Sequence, residues 1–164
     1  MAVPTEMQLQ RHDEGERYRF NYKGMHRYLI TLLTFKSRKV FTEKTVVMSV
    51  LDPLLESCWK HHFDIYAYCF LPDRLVMIAR GKTEYSDMKA FLATFKSSSS
   101  SALQPQLGHP LWKKKYLERV LRRSEDSKRI AEELFQLPAR EGLVASAAEY
   151  QFKGLFVKGT RKIT

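Results

Sequence analysis

The stretch from Asp64 to Gly81, DIYAYCFLPDRLVMIARG, constrains the fold of this chain more than any other. Ile65 to Leu71 is a run of aromatic, β-branched and other apolar residues, and Leu75 to Ala79 is apolar again. Between these runs stand Pro72 and Asp73, a pair that is typical of turns. Two apolar runs joined by a short turn predict an antiparallel hairpin in the interior of a sheet.

A strand and a helix are predicted on the N-terminal side of this hairpin. Arg27 to Phe35, RYLITLLTF, follows Gly24 and is apolar with β-branched residues, which favours a strand. Thr42 is a suitable N-cap for the next helix, whose apolar residues recur at helical spacing as far as Cys58. Pro53 interrupts this pattern and either kinks one helix or begins a second.

Two more helices and one more strand are predicted on the C-terminal side. Glu84 to Phe95 has the spacing of an amphipathic helix, and the run of serines from Ser97 to Ser101 predicts a loop. Leu111 to Arg123 alternates in polarity, which favours a strand. Ser124 is the expected N-cap of a last helix, which Pro138 ends.

The predicted order is strand, helix, strand, strand, helix, strand, with an extra C-terminal helix. That order predicts an α+β fold of the ferredoxin-like, split βαβ type, in which helices cover one face of an antiparallel sheet. A length of 164 residues and a hydrophobic fraction of 44% suit one buried core. We therefore expect a single nucleic-acid-binding domain over residues 19–164, preceded by a polar leader over residues 1–18.

Charge indicates the class of partner. The chain has 28 Lys and Arg against 18 Asp and Glu, a net charge of +10, which favours a polyanion such as nucleic acid. A basic surface that contacts only solvent is the alternative. Half of the excess lies in residues 113–129, where eight cations accompany three acids. The candidate phosphate-binding residues, with one aromatic residue that either packs or stacks on a base, are Lys36, Arg38, Lys39, Arg74, Lys113, Lys114, Lys115, Tyr116, Arg119, Arg122 and Arg123.

Other classes of protein are disfavoured. Cys58 and Cys69 lie inside apolar runs without CxxC spacing, which predicts buried, reduced thiols rather than a zinc or redox motif. No apolar run approaches the roughly 18 residues of a membrane span, and the polar segment from Met1 to Arg19 is unlike a signal peptide. We expect a cytoplasmic protein with no membrane partner.

Three segments resemble the HUH-type single-tyrosine transposases, especially their REP-associated branch. They are AYCFLPD in the hairpin, LWKKKYLERVLR in the basic strand and LFQLPAREGLV at the last helix. In the family these segments look like AYVVMPNHVH, an aromatic and basic strand ending in VLR, and YIxxNPVRAGLV. The likeness covers roughly Arg19 to Phe156, most of the chain.

The resemblance implies a dimeric domain that binds a folded single-stranded DNA hairpin, which active members nick beside the hairpin. Two histidines on one strand face hold a divalent metal that polarises the scissile phosphate. A helix tyrosine attacks this phosphate and becomes joined to the DNA. A polar side chain four residues further along the helix completes the metal shell.

All four of these positions differ in the present chain. Alignment on the two prolines puts arginine and valine where the histidines belong, and glutamate and leucine where the tyrosine and its polar neighbour belong. Arginine has no lone pair for a metal, and valine has no donor atom. The degenerate positions, in chain order, are Arg74, Val76, Glu133 and Leu137.

The resemblance therefore predicts a homodimeric, DNA-binding descendant of a transposase with no catalytic residue, metal or cofactor, in which Arg74 contacts a phosphate. Two alternatives remain. One is an active, metal-dependent transposase with a rearranged site, in which Glu133 is a ligand or nucleophile. The other is an RNA-binding module, because a small sheet with basic and aromatic residues also suits single-stranded RNA. His61 and His62 are adjacent, do not face one another, and are expected at a helix end.

Overall fold

Five antiparallel strands form one open sheet in the computed structural model, which describes residues 20–158. The predicted polar leader, residues 1–18, lies outside the described residues. Across the sheet the order is β4-β1-β3-β2-β5, and every pair of neighbours is antiparallel. The first four strands have the ferredoxin-like order, so the predicted fold class is confirmed. The strands are β1 (Arg27–Thr34), β2 (Phe63–Leu71), β3 (Arg74–Gly81), β4 (Trp112–Val120) and β5 (Lys153–Lys158).

Helices pack on the sheet in two layers. The two crossover helices share a large core with one face of the sheet, as predicted. The extra C-terminal helix packs on the opposite face, over β2 and β3, where it closes a smaller apolar cluster. No helix of the described chain is long and apolar enough to cross a membrane. The helices are α1 (Lys44–His61), α2 (Met88–Leu107), α3 (Ser127–Phe135) and the short α4 (Leu137–Arg140).

A β-bulge in β2 allows this one strand to contribute side chains to both apolar cores. Ile65 lies opposite Ala79 of β3, but Ala67 lies opposite Ile78, so Tyr66 is an extra residue with no partner on β3. Such an insertion exchanges the faces of the strand beyond it. Accordingly Ile65 packs in the large core, whereas Ala67 packs in the cluster under α3.

The serine run is helical, so the predicted loop at Ser97 to Ser101 is wrong. α2 continues through it to Leu107 and ends at Gly108, which has the left-handed φ of 71° that favours glycine. Ser99 is fully buried and donates to the Phe95 carbonyl at 2.6 Å. Its Oγ also accepts a hydrogen bond from Nε1 of Trp112 at 2.9 Å. This long-range contact explains why a sequence of poor helix formers extends the helix.

Ser99→Ala is expected to lower the free energy of unfolding by about 1–2 kcal/mol, because the buried indole N–H of Trp112 loses its acceptor. Ser98→Ala is the matched control. The Ser98 hydroxyl donates to the Thr94 carbonyl of its own helix at 2.9 Å, and alanine is the better helix former, so this change stays within about 0.5 kcal/mol. Urea unfolding followed by tryptophan fluorescence measures both. Equal losses would contradict the assigned role of Ser99.

Several helix ends also differ from expectation. α1 begins at Lys44, one residue later than a Thr42 cap would place it, and it has no side-chain cap. Pro53 lies within this helix and does not divide it. Asp126, rather than Ser124, caps α3, because its carboxylate accepts from the backbone N–H of Lys128 at 3.1 Å.

Strand β5 was not predicted. It pairs with β2 along the edge of the sheet, with Gly154 opposite Tyr68. A Cβ at Gly154 would lie 2.5 Å from the Tyr68 ring, so a larger residue here would have to displace that ring. Because glycine is uncommon in strands, the sequence around Gly154 did not indicate a strand.

Candidate nucleic-acid interface

The predicted cations form two groups at opposite ends of the sheet. Leu33 of β1 lies opposite Arg74 of β3, and Thr34 lies opposite Trp112 of β4. The end of β1 and the starts of β3 and β4 therefore meet at one end of the sheet, which we name the basic end. Its cations are Lys36, Arg38, Lys39, Arg74, Lys113, Lys114 and Lys115.

Backbone hydrogen bonds fix the loop that carries the first cations of the basic end. The Thr34 N–H donates to the Asp73 carbonyl at 3.1 Å, and its hydroxyl lies 2.7 Å from the Arg38 carbonyl oxygen. Further on, the Val40 N–H donates to the Pro72 carbonyl at 2.8 Å. The loop is thus attached to the β2–β3 turn, and its exposed cations are presented from a defined backbone.

Lys96 of α2 supports the start of β4. Its ammonium donates to the carbonyl oxygens of Lys113 and Lys114, each at 2.9 Å, and lies 5.5 Å from the centre of the Tyr116 ring. Tyr116 is half-buried on the face that α2 covers, and this burial raises the pKa of its hydroxyl. The structure therefore shows Tyr116 packed beneath Lys96, while Lys114 and Lys115 are exposed.

The second group, Arg119, Arg122 and Arg123, lies at the far end of β4. Arg119 forms an ion pair of 2.7 Å with Glu125, whose other oxygen accepts from the Arg122 N–H at 2.8 Å. Burial alone would raise the pKa of Glu125, but these hydrogen bonds outweigh it and lower the pKa. The charge of Arg119 is therefore compensated, whereas the Arg122 and Arg123 side chains are exposed.

Three of the four degenerate positions meet beneath α3 and α4. Val76 is buried opposite Cys69, and Leu137 packs against the same apolar cluster. Arg74 lies at the margin of this cluster. It precedes Val76 by two residues in β3 and is therefore on the same face of the strand. Glu133 is exposed on α3. The structure thus brings Arg74, Val76 and Leu137 together and leaves Glu133 outside the cluster.

Arg74 is held by two carboxylates. One guanidinium nitrogen donates to Asp73 at 2.6 Å, and another donates to Glu141, which directly follows α4. One cation with two anions has a local charge of −1, which disfavours a phosphate at this point. Arg74 is therefore less available to a phosphate than the exposed cations of the basic end.

Two potential nucleophiles lie near Arg74, and both are held protonated. The Tyr150 hydroxyl donates to the Phe70 carbonyl at 2.6 Å, and burial raises its pKa to about 12. Burial likewise raises the pKa of the Cys69 thiol to about 12. At neutral pH neither group has an appreciable anionic form, which is the form that attacks.

The residues at the degenerate positions do not fit a divalent metal. The Asp73 and Glu141 carboxylates are bound to Arg74, and Val76 offers no donor atom. His61 belongs to the end of α1, where its Nε2 lies 2.8 Å from the Thr94 hydroxyl and burial lowers its pKa. Among residues 20–158, no group of three or more His, Cys, Asp or Glu side chains is arranged to hold a metal ion.

Two arginines outside the predicted set lie at the far end of the sheet. Arg27 of β1 is directly opposite Arg80 of β3. Each stands alone in the sequence at the end of an apolar run, so neither has the local clustering that identified the other cations. The register of β1 with β3 is needed to bring them together.

Two solved structures that resemble this chain are transposases. The chain is similar to a REP-associated tyrosine transposase solved bound to a REP hairpin, with a TM-score of 0.69 and 17% identity over 85% of this chain and 81% of that chain. The fold is that of a REP-associated tyrosine transposase. A protein assigned as a transposase from Deinococcus radiodurans R1 matches with a TM-score of 0.53 and 18% identity over 75% of this chain and 95% of its own. No protein-family model and no curated protein matches the chain.

This likeness confirms the predicted resemblance at the level of the fold. At 17% and 18% identity it does not extend to chemistry, which depends on particular side chains. The transposase fold is thus present, and the alignment on the two prolines predicts that Arg74, Val76, Glu133 and Leu137 stand where the family has its metal ligands and nucleophile.

Proposed function

We propose that the protein binds single-stranded or hairpin DNA through the basic end and does not cut it. The observation that carries the proposal is the contrast between two neighbouring regions. Lys36, Arg38, Lys39, Lys114 and Lys115 are exposed at the basic end. The adjacent degenerate positions instead hold an arginine with two carboxylates and an apolar cluster.

The transposase fold supports DNA as the polyanion. The solved protein with a TM-score of 0.69 to this chain was captured on a REP hairpin. Lysine and arginine side chains that neutralise phosphates release the counterions bound there. Binding therefore weakens as salt rises, by slightly less than one unit of log K per unit of log salt for each contact.

Incubation with end-labelled hairpin DNA tests the proposal. We expect a salt-sensitive complex and, with magnesium or manganese, neither nicked DNA nor a covalent adduct that survives denaturation. Nicking that disappears in Glu133→Ala or Tyr150→Phe would overturn the non-cutting assignment, since either residue would then act as the nucleophile or ligand. An RNA hairpin of the same sequence serves as competitor, and stronger binding of RNA than of DNA would favour the RNA-binding alternative.

Two further expectations belong to this proposal. The resemblance implies a homodimer, which light scattering of the purified protein would measure. We also propose a cytoplasmic location, because Cys58 and Cys69 are both buried free thiols, as a reducing compartment permits.

A further inference from the structure

The loop that joins β1 to α1 begins with a tight turn in an unusual backbone conformation. Phe35–Ser37 form a single 3₁₀ turn, which the Arg38 N–H closes by donating to the Phe35 carbonyl at 3.2 Å. The two central residues of this turn, Lys36 and Ser37, have φ angles of 53° and 55°. Positive φ at both central residues is the property that defines a type I′ turn. The chain thus places two side chains in succession in the left-handed region.

Lysine and serine are poor choices for this conformation. In the left-handed region the Cβ of an L residue lies too close to the following carbonyl oxygen, which costs free energy that glycine avoids. Type I′ turns accordingly favour Asn-Gly, Asp-Gly and Gly-Gly pairs. Strained residues persist where the surrounding structure holds them, and they cluster at functional sites. Two costly side chains at these positions therefore indicate that the side chains themselves have a use.

Contacts with two other segments hold the turn in place. The Phe35 N–H donates to the Leu111 carbonyl, just before β4, at 2.9 Å. The Phe35 ring stacks on the His109 ring, with centres 5.9 Å apart and an angle of 24° between the planes. At the other end of the loop, the Phe41 N–H donates to the Pro72 carbonyl at 3.0 Å. The turn is therefore fixed on both sides, and its two central side chains project from a defined backbone.

The surface around the turn is cationic. Residues 36–39 are all exposed, three of them are Lys or Arg, and no acidic residue occurs in residues 34–42. The Lys36 ammonium lies 5.3 Å from the centre of the Phe35 ring, a cation–π contact that limits the movement of this long side chain. Ser37 follows directly and is exposed. An ammonium group and a hydroxyl group are therefore next to each other at the surface of the basic end.

We propose that Lys36 and Ser37 together bind one phosphate group of the DNA backbone. The lysine supplies the opposite charge, and the serine hydroxyl donates a hydrogen bond to a phosphate oxygen. The inference rests on the proposed function and adds to it a residue, Ser37, that the distribution of charge does not identify. Hydrogen bonds to ionised oxygens are stronger than neutral ones, and side-chain hydroxyls are common partners of DNA phosphates. Glycine at either position would relieve the backbone but would supply no side-chain ligand, so the binding role accounts for the strained pair.

Stability and DNA affinity are expected to change in opposite directions when the strain is removed. Ser37→Gly and Lys36→Gly each raise the melting temperature by about 2 °C, because glycine adopts the left-handed conformation without a steric cost. Each also weakens binding of the hairpin DNA about fivefold at 0.1 M salt, since one contact with the phosphate is lost. Lys36→Gly reduces the slope of log K against log salt by about 0.7 to 0.9, whereas Ser37→Gly leaves it unchanged because serine carries no charge.

Ser37→Ala separates the loss of the hydroxyl from the flexibility of glycine. Alanine keeps the left-handed strain, so the melting temperature stays within about 1 °C of the wild type while the affinity falls as in Ser37→Gly. His62→Gly is the matched control, because His62 has a φ of 62° at the end of α1, away from the basic end. This change raises the melting temperature and leaves the hairpin affinity unchanged. Calorimetry and fluorescence anisotropy give the two measurements.

The failures are distinguishable. Wild-type affinity for the hairpin in both Ser37→Gly and Ser37→Ala overturns the phosphate site and leaves the proposed function in place. A melting temperature that falls in Ser37→Gly also overturns it, since the serine would then not be strained. Absence of binding to every DNA by the wild-type protein overturns both proposals.

Discussion

Replacement of both Lys114 and Lys115 by glutamine is expected to weaken hairpin DNA binding about 30-fold at 0.1 M salt. Each phosphate contact contributes roughly 0.7 to 0.9 to the slope of log K against log salt, so two lost contacts reduce the slope by about 1.4 to 1.8. Both lysines are exposed at the start of β4, beside the loop of Lys36 to Lys39. Fluorescence anisotropy titrations at four or five salt concentrations measure the affinity and the slope together.

The matched control replaces Lys23 and Lys89, two exposed lysines away from the basic end, with glutamine. It changes net charge by the same amount but is expected to alter affinity less than threefold, because long-range attraction is screened beyond about 10 Å at this ionic strength. Equal losses in the two double variants would show that net charge, rather than the basic end, determines binding.

Gly81→Ala is expected to lower the free energy of unfolding by about 3 kcal/mol, the upper end of the usual cost of overpacking. An added Cβ would lie 2.2 Å from the backbone oxygen of Gly24 and 2.9 Å from the Ser86 Cβ. A backbone oxygen cannot rotate away, and the Gly81 N–H is also bonded to the His26 carbonyl at 2.9 Å. The melting temperature of a domain of this size should fall by about 6–12 °C.

Gly108→Ala is the control. It separates the effect of the close backbone approach at Gly81 from the effect of replacing a glycine in general. Gly108 has no atom within 4 Å of an added Cβ, but its φ of 71° is left-handed, so alanine costs about 1 kcal/mol. Calorimetry of both variants gives the comparison. A Gly81→Ala protein no less stable than Gly108→Ala would show that the Gly24 segment is not fixed against the end of β3.

The sequence predicted the parts of the fold that depend on short-range patterns. The β2–β3 hairpin and the order of the first four strands follow from apolar runs and turn residues, which act locally. The helical conformation of Ser99 depends instead on Trp112, 13 residues away, and the strand at Gly154 depends on its fit against Tyr68. Such contacts are absent from any local window of sequence.

The same distinction applies to the candidate site. The lysines of β4 are adjacent in sequence, so their clustering was predictable. Compensation of Arg74 by Glu141 joins residues 67 positions apart and required the packing of α4. The pairing of Arg27 with Arg80 required the register of β1 with β3, and the position of Tyr66 as the residue of β2 without a partner on β3 required the bulge.

Among residues 20–158, strand β4 ends the sheet, so within this part of the chain no strand pairs with the backbone N–H and C=O groups along its outer side. Such a side can add a strand from another molecule and start aggregation, and charged residues, lysine above all, oppose this by mutual repulsion. Lys114 and Lys115 thus have a second consequence: the charges that we propose attract a phosphate backbone also disfavour the joining of copies of the protein strand to strand.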